Sequence, residues 1–320
     1  MADYSEVICI GETMLMLAPP QYELLEEASS YRVMVGGAES NVAIGLQRLG
    51  VRSGWIGKLP DNPLGHRVAA SIKAQGVDTT NIIWDGDRRL GLFFFQWGSE
   101  PRDHVTIYDR EHSAASAISS NEINWDYVLN SKWLHITGIT PALSEECYQF
   151  TKDLVDRAGQ SKVKISFDIN YRSQLWDRIT AVKVFEEILP KVDLIIGTNE
   201  DIRMLLGGNY STEEALTLCY QKYHPQVLAI TCGAEGACAF DGKEAIQSGG
   251  HDVHMINRLG AGDAFAAGLL SGLLEKNLEY ALRKGVAMAA LKMSISLNEP
   301  LIQKSDVDRL LNESTAHPFR

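Results

Sequence analysis

The chain reads Gly260-Ala261-Gly262-Asp263-Ala264-Phe265-Ala266-Ala267-Gly268 where a turn of small residues leads into an apolar helix. Gly260 and Gly262 carry no Cβ and Ala261 adds little bulk, so the backbone can approach a ligand closely. The first N–H groups of a helix have no partner within it and lie at the positive end of its dipole, which favours an anion such as phosphate. The turn therefore predicts an anion hole formed by Gly260, Ala261 and Gly262.

Asp263 follows this predicted anion hole directly. A carboxylate repels bound phosphate, so Asp263 is a poor phosphate ligand. It is well suited to act as a general base that takes the proton of an attacking hydroxyl group. The alternative interpretation is that Asp263 only caps the helix.

Apolar, β-branched runs alternate with amphipathic segments along the chain. The runs are Val7–Ile10, Ser53–Ile56, Trp133–Ile136, Val163–Asp168, Leu194–Ile196 and Val227–Thr231. Strands that are apolar throughout and separated by helices predict a mostly parallel sheet with helices on both faces. Ligands of such sheets bind beyond the carboxyl ends of the strands. We therefore expect one α/β domain spanning residues 1–320.

Two insertions interrupt the alternation. Residues 12–36 contain no convincing amphipathic helix, and residues 90–110 read as two strands, 92–97 and 104–108, joined by a turn at 98–101. The aromatic residues of the first strand are also compatible with an ordinary core. We expect the two insertions to pair into a small β-sheet lid over the strand ends, which also carries a contact between copies of the chain.

Composition narrows the classes of partner. Of the 320 residues, 45% are hydrophobic and 22% charged, and the net charge is −11. The acidic residues are spread along the chain, which argues against nucleic acid or an anionic membrane as partner. No run approaches roughly 18 apolar residues, and no basic segment precedes the first apolar run, so we expect a cytoplasmic protein with reduced cysteines. An anionic substrate must then be met by a local group of donors.

Three segments have features suited to a sugar acid. Gly36-Gly37-Ala38-Glu39-Ser40-Asn41 precedes an apolar helix, and its asparagine offers a donor and an acceptor to sugar hydroxyls, although a glycine pair is also typical of a plain turn. Tyr108-Asp109-Arg110 and Asn170-Tyr171-Arg172 each place an arginine after a predicted strand. Arginine binds carboxylates with two hydrogen bonds, so the pair indicates a substrate carboxylate; two surface salt bridges are the alternative.

Other segments have features suited to a nucleotide. The glycine-rich run at 231–236 follows a strand and can wrap a nucleotide with its backbone, or simply form a turn. Glu200 and Asp201 follow another strand, where they either order water around Mg²⁺ or favour the first turn of a helix. The chain contains no Gly-x-x-x-x-Gly-Lys-[Ser/Thr] motif, and no Gly-x-Gly-x-x-Gly follows its first strand. A P-loop is therefore absent, and a dinucleotide-binding enzyme is disfavoured.

Taken in this order, the segments resemble the ribokinase-like (PfkB) sugar kinases. Similarity to the members that act on 2-keto-3-deoxygluconate extends to residues 58–65, 107–110, 138–143, 167–172, 175–176 and 258–260. The resemblance implies a three-layer α/β/α sandwich with a β lid. It also implies ATP- and Mg²⁺-dependent phosphorylation of the terminal hydroxyl of 2-keto-3-deoxygluconate, giving the 6-phosphate.

The resemblance further implies a role for each matching residue. The catalytic positions are Asp263 as base with Gly260, Ala261 and Gly262 as anion hole. The substrate positions are Gly36, Gly37, Asn41, Phe93, Tyr108, Arg110, Asn170, Arg172 and Asp263. The nucleotide positions are Thr198, Thr231, Gly233, Glu235, Gly236, Gly260 and Gly262. The metal positions, acting through water, are Glu200 and Asp201.

Two departures from the family pattern leave alternatives open. Many relatives have Asp-Thr ahead of the glycine-rich turn, whereas this chain has Asn257-Arg258-Leu259, so a monovalent-cation requirement is undecided. Phe93 stands where the subgroup often has tyrosine, which removes a hydroxyl and can shift substrate choice. A kinase for a neutral ketose such as fructose, and a sugar-binding regulator that has lost catalysis, are the competing hypotheses.

Overall fold

The computed structural model of the protein describes residues 4–21, 23–98 and 101–315. Its strands are β1 (Val7–Ile10), β2 (Met14–Ala18), β3 (Arg32–Gly36), β4 (Ser53–Ile56), β5 (Lys58–Pro60), β6 (Ile83–Asp85), β7 (Leu92–Gln96), β8 (Val105–Asp109), β9 (Trp133–Thr137), β10 (Lys164–Asp168), β11 (Leu194–Thr198), β12 (Val227–Thr231), β13 (Ala237–Phe240) and β14 (Ala245–Ser248). Its α-helices are α1 (Ala38–Arg48), α2 (Pro63–Lys73), α3 (Trp125–Leu129), α4 (Glu145–Gly159), α5 (Arg178–Ile188), α6 (Asn199–Leu206), α7 (Thr212–Tyr223), α8 (Ala261–Glu275), α9 (Leu278–Met293) and α10 (Lys304–Thr315).

The main sheet has eight strands in the order β14-β13-β12-β11-β10-β9-β1-β4. The six strands from β12 to β4 run parallel, and β13 and β14 pair antiparallel at one edge. The strands alternate with helices in sequence, which is why their pairing is parallel. This topology confirms the predicted α/β class with a mostly parallel sheet.

Both faces of the main sheet are buried. Within β1, Val7 and Cys9 pack into a core with helices α1, α8 and α9, whereas Ile8 and Ile10 pack into a second core with α4, α5 and α7. Successive strand residues point to opposite faces, so a strand between two helical layers must be apolar at every position. The three-layer arrangement predicted from the apolar runs is confirmed.

A separate four-stranded sheet, here called the lid sheet, has the order β3-β2-β7-β8. Its strands come from the two insertions, and β2 pairs with β7 in parallel while the outer pairs are antiparallel. Phe93 and Phe95 on β7 and Met14 and Met16 on β2 form its buried inner face. Two residues of the predicted turn at 98–101, 99 and 100, lie outside the described residues.

The glycine-rich turn is held against the segment that follows α9. Gly260 caps the start of α8 with a φ of 80°, and a Cβ built on it would lie 2.3 Å from the carbonyl oxygen of Asn298. Glycine is therefore required there on both counts. The sequence pattern predicts a helix from Leu278 to Leu297, but α9 ends at Met293, and the chain then folds back to support this turn.

No helix in the described part of the chain is long and apolar enough to cross a membrane.

Candidate active site

A cleft of about 570 Å³ lies between the carboxyl ends of β10, β11 and β12, the start of α8 and the inner face of the lid sheet. The predicted site residues that line it are Gly36, Gly37, Asn41, Phe93, Tyr108, Arg110, Asn170, Arg172, Thr198, Glu200, Asp201, Thr231, Gly260, Gly262 and Asp263. The predicted residues that do not line it are Gly233, Glu235, Gly236 and Ala261. The fold thus brings together most of the residues taken from distant parts of the sequence.

Asp263 lies in the first turn of α8 and is 9% exposed. Its Oδ2 accepts a hydrogen bond of 2.7 Å from Nδ2 of Asn41. The helix start is capped by Gly260 without any side-chain hydrogen bond, so Asp263 does not act as the cap. Burial raises the pKa of Asp263 to about 6, while the Asn41 hydrogen bond and the charges of Arg172 and Lys292 act to lower it. The Asn41 hydrogen bond therefore holds the carboxylate in one orientation, and a pKa of about 6 suits a general base near neutral pH.

Gly262 is the open position of the predicted anion hole. A Cβ built on this residue would meet nothing within 4 Å, and the residue is exposed in the cleft. The N–H groups of the first helical turn have no partner within the helix, so this open space is suited to a phosphoryl group.

The two arginines expected to bind a carboxylate differ in their surroundings. Arg110 is 6% exposed, forms an ion pair with Glu12, and lies over the ring of Tyr108 at 5.1 Å from its centroid. Ser113 Oγ donates to the same Glu12 carboxylate at 3.1 Å. Arg172 is exposed at the cleft, where its charge lowers the pKa of Asp263. The charge of Arg110 is thus balanced within the protein, and Arg172 is the better placed of the two to bind a substrate anion.

Close packing accounts for the glycine pair before α1. A Cβ on Gly36 would lie 3.1 Å from Cζ of Phe93, and a Cβ on Gly37 would lie 2.4 Å from the carbonyl oxygen of Glu12. Phe93 is 8% exposed, and its ring lies 5.9 Å from that of Tyr108 between centroids. Because Gly36 and Gly37 have no side chains, the lid sheet can pack closely against the start of α1.

Asn170 adopts a left-handed conformation with a φ of 40°, at the end of β10. Its Nδ2 donates to Asp168 Oδ2 at 3.3 Å. Left-handed backbone at a residue other than glycine is uncommon and concentrates at functional sites. The conformation brings Asn170 and Arg172 to the edge of the cleft.

Two further buried carboxyl groups were not among the predicted site residues. Glu39 is fully buried and accepts hydrogen bonds from Thr137 at 2.7 Å and Thr140 at 3.2 Å. Burial raises its pKa to about 7, and the charge of Asp263 adds to the shift. Burial raises the pKa of Asp168 well above its usual value, and the charges of Asp201 and Asp263 add to that rise. Both residues lie in segments that contain predicted site residues, but the sequence gives no signal of their burial.

Two of the residues predicted to bind a nucleotide, Gly233 and Glu235, are exposed. Gly233 and Glu235 form a short 3-10 helix at the surface, and Gly236 has a φ of 94° with a Cβ position 2.1 Å from the carbonyl oxygen of Ser248. Gly236 therefore serves the turn between β12 and β13. Thr231, at the end of β12, does reach the cleft.

Asp201 is held by the start of α6. Its Oδ2 accepts from the backbone N–H of Thr198 at 2.9 Å, and its own backbone N–H donates to the Thr198 hydroxyl oxygen at 3.1 Å, so the two residues form a capping box. Glu200 beside it is exposed and lines the cleft. No group of three or more His, Cys, Asp or Glu side chains is arranged to hold a metal ion directly in the part of the chain that the structure describes. A carboxylate that binds a hydrated Mg²⁺ through water needs no such group, and Glu200 fits that requirement better than Asp201.

The model of the pfkB family carbohydrate kinases matches residues 5–296. The chain belongs to this family. It is 34% identical over 313 residues to 2-dehydro-3-deoxygalactonokinase of Haloferax volcanii, covering 98% of each chain. It is 35% identical over 293 residues to 2-dehydro-3-deoxygluconokinase of Bacillus subtilis, covering 90% of this chain and 89% of the relative.

Structural similarity agrees with these relationships. The crystal structure of 2-dehydro-3-deoxygluconokinase from Thermotoga maritima superimposes with a TM-score of 0.92 at 30% identity, covering 97% of this chain and 98% of that one. The predicted ribokinase-like fold is confirmed. The protein is an ATP-dependent carbohydrate kinase.

Proposed function

We propose that this kinase transfers the γ-phosphoryl group of ATP to the terminal hydroxyl of 2-keto-3-deoxygluconate, which is also called 2-dehydro-3-deoxygluconate. The observation that carries the proposal is the Asp263 carboxylate, held by Asn41 at the start of α8 and facing the cleft. The similarity to kinases named for 2-dehydro-3-deoxy sugar acids supports an acceptor of this class.

In the proposed reaction Asp263 takes the proton of the acceptor hydroxyl. Asn41 donates to Oδ2 and so orients Oδ1 towards the hydroxyl. The hydroxyl oxygen forms a bond to the γ-phosphorus, the bond from that phosphorus to the bridging oxygen breaks, and ADP leaves. The N–H groups at the 260–262 turn stabilise the negative charge on the migrating group. Alignment and charge stabilisation suffice, because phosphoryl transfer needs no protein nucleophile.

The acceptor's carboxylate requires a positive partner in this cleft. The lining includes Asp168, Asp201 and Asp263, and such a surface disfavours an anionic ligand. Arg172 supplies an exposed cation beside these acids, and its planar guanidinium can form two parallel hydrogen bonds with a carboxylate. We therefore assign recognition of the sugar acid to Arg172, with Arg110 and Tyr108 shaping the pocket.

The nucleotide and its metal are assigned to the more exposed side. Thr198, Thr231, Gly260 and Gly262 line the cleft where the phosphates would lie. Mg²⁺, when bound, neutralises charge on the phosphate oxygens, and Glu200 is the residue that would hold it through water.

A reaction that consumes ATP draws on the cytoplasmic nucleotide pool, so we propose that the enzyme acts in the cytoplasm.

One observation favours a second acceptor class. Phe93 lines the proposed sugar side of the cleft and has no hydroxyl group with which to bind a polar group of the substrate. Such a pocket would suit a neutral ketose such as fructose. An assay of ADP release across 2-keto-3-deoxygluconate, 2-keto-3-deoxygalactonate and fructose separates the two. We expect kcat/KM for a sugar acid to exceed that for fructose by about 100-fold, the discrimination expected from a charge-assisted contact. A preference for fructose would establish the neutral-ketose alternative instead.

We also propose that copies of the chain associate through the outer face of the lid sheet. Val105 and Ile107 on β8 are 41% and 52% exposed, and they alternate with Thr106 and Tyr108, which face the cleft. Exposed apolar side chains on one face of a sheet are typical of an interface. Analytical ultracentrifugation of the wild type and Ile107→Asp tests this: the wild type should be a dimer or larger, and the variant a monomer. A monomeric wild type would refute the interface.

A further inference from the structure

Lys292 is a fully buried lysine on the last turn of α9, close behind the candidate active site. Its Nζ donates a hydrogen bond of 3.2 Å to the main-chain oxygen of Asn257. A buried ammonium group is unfavourable unless opposite charges and hydrogen bonds compensate it. Its position therefore calls for an explanation beyond ordinary packing.

Lys292 lies against the glycine-rich turn. Its Cε lies 3.4 Å from the point where a Cβ on Gly260 would be. Asn257, whose carbonyl it bonds, donates from Nδ2 to the carbonyl oxygens of Ser296 at 3.1 Å and Leu297 at 3.3 Å, and accepts at Oδ1 from the backbone N–H of Leu259 at 2.9 Å. The ammonium group and the Asn257 side chain thus connect the turn to the segment after α9.

The charges around Lys292 link it to the base. Asp263 and Glu299 are the charged groups that act on Lys292, and both favour its ammonium form, while burial lowers its pKa to about 8. The charges that favour the ionised form of Asp263 are those of Arg172 and Lys292. Glu39 and Asp168 are the other acids that interact with Asp263. Of the two cations, Arg172 is exposed and screened by water, whereas Lys292 is enclosed by protein.

We propose that Lys292 is a positioning residue for phosphoryl transfer: its ammonium group fixes the 257–263 turn and places a buried positive charge behind the anion hole and Asp263. The inference rests on the proposed kinase reaction. It adds a residue that touches neither substrate and acts through Asp263 and the backbone of the turn.

The test compares Lys292→Met with Lys284→Met in the intact enzyme. Methionine keeps most of the length of lysine and removes its charge. Lys284 is a matched control because it is fully buried on the same helix, donating to Ser271 at 2.9 Å and Glu275 at 2.8 Å, and it does not line the cleft. Initial rates with ATP and 2-keto-3-deoxygluconate are measured from pH 5 to 9.5, and thermal unfolding is recorded for each variant.

We expect Lys292→Met to lower kcat by about 30-fold or more and to move the acid limb of kcat/KM upwards by about one pH unit. The direction follows because Asp263 must be ionised to act, and loss of the neighbouring cation raises its pKa. Lys284→Met should lower the melting temperature without moving that limb. A Lys292→Met enzyme with the wild-type acid limb and kcat within about threefold of wild type would overturn the inference.

The wild type supplies a second readout should Lys292→Met fail to fold. Deprotonation of Lys292 should make activity decline above about pH 8, so a rate that stays flat to pH 9.5 would overturn the inference. Failure of the proposed function is distinguishable: the wild type would then show no turnover of any sugar acid. An active wild type, together with a Lys292→Met enzyme that keeps both the wild-type acid limb and the wild-type kcat, would refute only the role of Lys292.

Discussion

The side of the cleft assigned to the sugar and the side assigned to the nucleotide are built differently. On the sugar side Glu39, Arg110 and Asp263 are buried side chains held by hydrogen bonds and ion pairs. On the proposed nucleotide side Thr198 and Glu200 are exposed cleft residues, and the proposed anion hole is open backbone at the start of a helix. In the proposed function, side chains thus define the acceptor and its chemistry, whereas backbone amides receive the phosphates. Substitutions on the sugar side should change chemistry and specificity, and those at the turn should act through shape.

Asp263→Asn removes the base and leaves the shape of the cleft, so it should give the largest effect. The asparagine oxygen can still accept from Asn41, and the fold should be retained. We expect kcat to fall by about 10²- to 10⁴-fold, the range typical of lost general-base catalysis. Steady-state kinetics and thermal unfolding measure the two properties. Retention of more than about a tenth of the wild-type kcat would exclude Asp263 as the base.

The two glycines of the turn should respond to alanine in opposite ways. Gly262→Ala should keep the wild-type melting temperature, because its Cβ meets nothing within 4 Å, but kcat should fall by about 10²-fold since the methyl group enters the phosphoryl site. Gly260→Ala should lose about 1–3 kcal/mol of unfolding free energy, given its φ of 80°. Calorimetry and kinetics on both variants check the contrast. An unchanged kcat in Gly262→Ala would show that the open space is not the phosphoryl site.

Arg172→Ala should raise KM for the sugar acid by about 10- to 30-fold and KM for fructose by less than about threefold. The reason is that only the acid presents a carboxylate to the guanidinium group. Arg172→Lys is the matched variant, since it keeps the charge and loses the paired hydrogen bonds. Its KM for the sugar acid should fall between those of the wild type and Arg172→Ala. Identical changes in KM for both acceptors would remove Arg172 from carboxylate recognition.

Glu39→Gln should give the smallest effect, a change in how stability depends on pH. The folded-state pKa of about 7 lies above the ordinary 4.5, so this group's contribution to stability is present below about pH 4.5 and lost as pH rises through about 7. Between pH 5 and 8 the wild type should therefore lose about 1–3 kcal/mol of unfolding free energy relative to the glutamine variant. Denaturant unfolding at both pH values measures this, and parallel pH dependences would contradict it.

The apolar runs were enough to predict the layers of the fold, because a strand covered on both faces must be apolar at every position, as β9 is. The strand ends then located Arg172 and Thr231, since parallel strands bring their carboxyl ends to one edge. Sequence could not show that Glu12 balances Arg110, because that contact joins residues far apart in the chain. Nor could it distinguish Lys292 from a surface lysine, since burial at a helix end depends on how the following segment folds back.

The most direct test of the central claim is the structure of the product formed by the wild-type enzyme from ATP and 2-keto-3-deoxygluconate. Phosphorus-31 NMR with proton correlation locates the ester while ADP is quantified in the same sample. The proposed reaction predicts one phosphate ester on the terminal hydroxyl for each ADP released. ADP formed without an ester, or an ester at another hydroxyl, would contradict the claim that this carboxylate activates the terminal alcohol.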